Sequence, residues 1–235
     1  MGMGAPMRTH TSQRPMTTSD IITLAQWLSP AFPVGAFAYS HGLEVVIQQQ
    51  TLTSAQDLQD WLADVLAYGS GRNECILLRA AYACTSPAAL AMINETALAA
   101  SASRERILET ELQGSAFAQT AAAIWLRTEP EETAPTALCY PVAVGYAAAR
   151  QRFDVELTAA MYLHAFASNL VSVAVRAVPL GQTEGQRVLA ALAPLCEQIA
   201  AQTAGMALDD LSSTAFLSDI ASMHHETLQP RIFRS

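Results

Sequence analysis

The chain has 235 residues, 51% hydrophobic and only 14% charged, with a formal net charge of -8. That length can bury a substantial core as one domain or two small ones, and the acidic balance argues against a nucleic-acid groove and against an anionic membrane surface. All 13 basic residues are arginine, and the absence of lysine excludes Schiff-base chemistry, a lysine general base and the phosphate loop of a P-loop nucleotidase.

Residues 1–17 carry Arg8 and Arg14 but no apolar run, so they read as a disordered tail rather than a secretory signal, with Met16 as a second candidate start. Thr18 to Leu28 opens on capping residues and places Ile21, Leu24, Ala25 and Leu28 on one helical face. The stretch Ser29 to Glu44, SPAFPVGAFAYSHGLE, interrupts that pattern. Pro30 and Pro33 forbid helix continuation, and Gly35 permits a turn or close approach that a side chain would block. Phe32, Phe37 and Tyr39 therefore sit at a rigid junction, either plugging the end of a helical core or forming a surface on which a partner docks.

Helical spacing returns at Ser54 to Tyr68, through Leu58, Trp61, Leu62, Val65 and Leu66. Gly69 and Gly71 punctuate a turn before Asn73 to Ala83, and Ser86-Pro87 begins another helix. Ser101 to Leu126 mixes Arg104, Glu105, Arg106, Glu109 and Glu111 with apolar positions, the pattern of a long helix with one wet face. Glu129 to Pro135 is an acidic, proline-bracketed loop that should tolerate change. Ala137 to Gln151 and Asp154 to Val178 look like a helical hairpin. The uncharged run from Leu157 to Val175 approaches bilayer-spanning length, but Thr158, His164, Ser168, Asn169 and Ser172 inside it suit the central helix of a soluble bundle. Pro179 ends that helix, Gly181 and Gly185 flank a polar turn holding Gln182 and Gln186, and Arg187 to Leu192 resumes helical spacing. No stretch alternates with period two, so the fold class is all-α: a single-domain bundle of about ten helices over residues 18–228, followed by a tail at 229–235.

Little of this pattern spells chemistry. Cys75, Cys84, Cys139 and Cys196 have no C-x-x-C spacing, which fits reduced buried thiols rather than a disulfide framework or zinc site. The segment PLGQTEGQ, Pro179 to Gln186, lacks lysine and follows no strand, so its glutamine amides either lock a turn or face a partner. His224, His225 and Glu226 adjoin on a predicted helix, where neighbours diverge in direction and form no chelating face without Asp219, Ser222 or a second subunit. A solvated helix end is the simpler reading. His41, with Glu44 nearby, is a poor basis for a hydrolase. The tail QPRIFRS, Gln229 to Ser235, carries two large apolar anchors and two guanidinium forks, and is built to bind either its own core or another chain.

Three segments together, SPAFPVGAFAYSHGLE, RAVPLGQTEGQ and SSTAFLSDIASMHHETLQPRIFRS, resemble in order and spacing the urease accessory protein UreF family, from about Ile21 to Ser235. The resemblance implies an all-helical, homodimeric, cytoplasmic scaffold without catalytic chemistry or a cofactor of its own. It also implies the partners UreD (also called UreH), the GTPase UreG and apo-urease, with nickel and GTP handled by the complex. On the family pattern, partner-binding residues would be Phe37, Tyr39, Glu44, Gln182, Gln186, His225, Glu226, Arg231, Phe233 and Arg234, with Phe37 toward UreG and the tail toward UreD. Pro230 departs from the usual serine before the tail arginine and restricts the approach to Arg231. The alternative is a nickel-binding metallochaperone using His224 and His225, since imidazole suits nickel.

Overall fold

A computed structural model of the chain describes residues 15–126 and 135–235, so residues 1–14 and most of the Glu129 to Pro135 loop lie outside the described residues. Among the described residues the secondary structure is helical, with no strand. The α-helices are α1 (Thr18–Trp27), α2 (Leu43–Gln48), α3 (Ala55–Tyr68), α4 (Ser70–Ala83), α5 (Pro87–Ala99), α6 (Arg104–Ile124), α7 (Tyr140–Gln151), α8 (Val155–Ala177), α9 (Gln182–Gln202) and α10 (Phe216–His225).

Their starts follow from capping chemistry. Thr17 with Asp20, and Ser54 with Asp57, form reciprocal capping boxes at α1 and α3. Ser86, Ser103 and Asp154 accept backbone N–H groups at the starts of α5, α6 and α8. The break between α3 and α4 is a single residue, Gly69, and Gly71 lies inside α4 rather than in a turn.

The core is one connected cluster. Trp27 is fully buried against Phe117 and Phe153, with ring centroids 5.4 and 5.1 Å away. Phe32 joins them, 5.3 Å from Phe117, so this aromatic of the first junction plugs the core. α7 packs on α4 and α6, and α8 lies between α9 and the α4 side. By length and composition α8 could cross a bilayer, but half of its most apolar stretch is buried inside the protein.

The polar turn expected over Gly181 to Gln186 is instead the first turn of α9. Gly181 precedes the helix, and its N–H donates to Glu184 Oε2 at 2.9 Å. Gly185 serves close packing rather than chain reversal, because a Cβ there would stand 2.7 Å from Val175 Cγ2 of α8. Gly42 does need its freedom: its φ is +78°, and a Cβ would run into the backbone of Ala221 and Ser222. That contact lets α10 lie directly on the start of α2 and brings the chain's first and last motifs together.

Candidate functional site

Residues 231–235 lie along residues 37–44 and are stitched to them. Arg234 N–H donates to the Ala38 carbonyl at 2.8 Å, while Ser40 donates to the Ser235 backbone oxygen from both its N–H and its hydroxyl. At the centre is Glu44, only 2% exposed. A carboxylate this buried is costly unless its lone pairs are filled. Ile232 N–H reaches Oε1 at 2.7 Å, Phe233 N–H reaches Oε2 at 3.0 Å, and His225 Nε2 stands 3.2 Å from Oε2. The other ring nitrogen of His225, Nδ1, is 2.7 Å from Glu105 Oε2, and Glu105 Oε1 accepts from the Arg231 guanidinium.

Arg176 of α8 clamps the same two segments. Its guanidinium lies 4.8 Å from the centre of the buried Phe233 ring and donates to the Phe37 carbonyl at 2.8 Å. The Phe37 ring itself is 64% exposed. First motif and tail therefore form one latch, with Phe37, Arg231, Ile232 and Arg234 outward and Tyr39, Glu44, His225 and Phe233 inward.

A second polar cluster lies beside it. Glu109 Oε1 stands 2.8 Å from His41 Nε2 and accepts from Gln113 at 2.7 Å, while Oε2 takes the Arg106 guanidinium and, at 2.9 Å, the Ser235 hydroxyl. Burial pushes the Glu109 carboxyl up, but the neighbouring Arg106 and His41 outweigh it and hold the group down to about 2. Arg106 also reaches Glu74 at 2.7 Å, and Glu74 accepts from the Tyr162 hydroxyl at 2.6 Å. Burial first, and then Glu74, raise the Tyr162 phenol well above its ordinary range. A cleft of about 620 Å³ opens onto this cluster, running from Phe37 past Arg106 and Glu109 to Gln182 and Gln186.

Several expectations are thereby corrected. His41, set aside above as a poor basis for a hydrolase, faces Glu109 of α6 at 2.8 Å. The α6 charges do not share a wet face: Glu109 and the Arg106 side chain are buried because tail and junction cover them. His225 is fully buried, not at a solvated helix end, while the neighbouring His224 is exposed and Glu226 accepts the Arg104 N–H at 2.8 Å from the surface. Tyr39, Glu44, His225 and Phe233 are interior, so they shape the surface rather than present themselves to a partner. Gln182 and Gln186 are exposed on the first turns of α9.

The residues that sequence reasoning missed are Glu105, Glu109, Arg106 and Arg176. Glu105 and Glu109 stand one helical turn apart, a visible signal, but their partners come from distant parts of the chain. For metal chemistry, no group of three or more His, Cys, Asp or Glu side chains is arranged to hold an ion among the described residues. Each nitrogen of His225 already faces a carboxylate.

A family model described as UreF matches residues 52–193. The chain is similar to the urease accessory protein UreF of Roseobacter denitrificans, at 51% identity over 229 residues covering 97% of this chain and all of the relative. The corresponding protein of Ruegeria pomeroyi is 51% identical over 219 residues, covering 93% of this chain and 98% of its own, and that of Cereibacter sphaeroides is 52% identical over 215 residues, covering 92% and 98%.

Proposed function

The chain belongs to the UreF family of urease accessory proteins, and from that premise we propose that it acts in urease maturation as a non-catalytic scaffold that binds UreD (UreH) and recruits the GTPase UreG. In this reading the protein works in the cytoplasm as a homodimer, and the assembled complex delivers nickel to apo-urease. Nickel and GTP are cargo and fuel of that complex, not cofactors held by this chain.

The observation that supports the reading most is the latch itself. Arg176 holds the Phe37 loop and the tail as one rigid unit, so two motifs far apart in sequence offer Phe37, Arg231 and Arg234 from a continuous, preorganised edge. Glu226, Gln182 and Gln186 are the further exposed positions on which the partners would rest. Exposed aromatic and arginine side chains on a fixed backbone are the groups that dominate protein interfaces. Regulation of UreG GTP hydrolysis belongs to the same reading. Arg72 and Arg79 are tied to internal partners, Asp210 and Thr203, so the exposed Arg187 is a better arginine with which to test it.

Size-exclusion chromatography with light scattering tests the scaffold directly, on the protein alone, with UreD, and with UreD plus GTP-loaded UreG. Successive stoichiometric complexes are expected. A monomer that binds neither partner would end the reading. Phe37→Ala should leave UreD binding intact and impair UreG recruitment, whereas Arg231→Ala should weaken UreD binding.

A further inference from the structure

We infer that the partner that takes the tail also grips α6 through Leu108 and Leu112, so that tail and helix form one composite docking face. The partner's identity, UreD, rests on the scaffold reading; the face rests on where the tail runs. Arg231 pairs with Glu105 near the start of α6, and the Ser235 hydroxyl donates to Glu109 one turn later, so the tail follows the helix. Glu105, Leu108, Glu109 and Leu112 fall at i, i+3, i+4 and i+7, a spacing that gathers them on one side of a helix. The two glutamates of that side bind the tail. The two leucines are bare, 56% and 45% exposed.

The tail supplies the rest of the face. Phe233 and Ser235 turn inward while Ile232 and Arg234 stay outward, the alternation of an extended backbone. Ile232 is 79% exposed, yet its N–H and that of Phe233 beside it are bound to Glu44. An apolar side chain on so fixed a backbone loses little freedom when a partner covers it. Arg234 is held by its own N–H to Ala38, and its guanidinium enters no ion pair among the described residues. The face is therefore apolar with a free guanidinium at its edge, and it suits a ridge of apolar side chains bordered by a carboxylate. A body that rests on Arg231 and Ile232 meets the leucines too, because the tail is bonded to the same helical side that carries them. The wider apolar row on α10, from Phe216 to Met223, is the one left for a second copy.

Hydroxyl-radical footprinting of the unaltered full chain, free and with UreD, tests the face directly. Labelling of Leu108, Leu112 and Ile232 should fall several-fold in the complex, while the equally exposed Met92 on α5 and Ile124 at the far end of α6 keep their rates. A Leu108→Asp, Leu112→Asp variant should bind UreD about 10–100-fold more weakly. In that variant the Ile232 and Phe233 amides should stay as protected from hydrogen exchange as in the parent, which marks the tail as still latched.

Leucines that label as fast in the complex as in the free chain, or a variant that binds at the parent's affinity, overturn the composite face and leave the scaffold reading standing. An unaltered chain that does not bind UreD ends both. If the variant's light-scattering mass drops to that of the monomer, the leucines belong to the contact between two copies, and their assignment to the tail's partner is wrong.

Discussion

At the scale of single residues, buried carboxylates do most of the organising. Glu44 fills its lone pairs with two tail amides and an imidazole, so Glu44→Ala strands all three donors. Breaking a buried charge network from one side typically costs about 3–5 kcal/mol, and a urea titration of Glu44→Ala should read a loss of that order. Glu109 gives a pH signature. Its folded-state value, held down to about 2 from 4.5, lies below that of the unfolded chain. It therefore stabilises fully above the unfolded value, and that contribution disappears as pH falls from 4.5 through 2. The loss should be about 3 kcal/mol by linkage, and a Glu109→Gln variant, unfolded in parallel, should lack that acid-sensitive component. The role of Glu109 was not legible in the sequence, because a glutamate on a charged helix face reads as solvated until the segment that covers it is known.

At the scale of elements, helix starts were the most legible feature, since Thr17, Ser54, Ser86 and Asp154 each carry a local cap whose partner lies within three residues. Gly181 and Gly185 misled for a physical reason: glycine signals a turn only when its backbone needs it, and Gly185 is there for the contact of α9 with α8. Gly42 combines both demands. Gly42→Ala adds left-handed strain of about 1–2 kcal/mol to an overpacking cost of about 1–3 kcal/mol. Thermal unfolding should show that loss, and the displaced α10 should loosen the tail as well. Thr17→Ala, which removes only a cap, should cost about 1 kcal/mol and leave tail protection unchanged.

At the scale of the whole molecule, helical spacing without any period-two stretch foretold the all-α bundle, while the pairing of distant motifs emerged only in three dimensions. Phe216, Leu217, Ile220 and Met223 are between 46% and 71% exposed along α10, at spacings that place them on neighbouring parts of the helix surface. The expected homodimer would account for such a face, so a Leu217→Asp, Ile220→Asp double variant should shift light scattering toward the 25.1 kDa monomer with little change in melting temperature. An unchanged mass would place the contact elsewhere. The latch also has a history in time. Ser40 is bonded to Ser235, 195 residues later, and synthesis at roughly 5–20 residues per second separates the two by about 10–40 s. Throughout that interval the nascent chain carries Glu44 and then Glu109 without the amides and hydroxyl that will enclose them. The acidic seam thus stays hydrated until the tail has been made, and its final drying is a step that can begin only after the last helix has arrived.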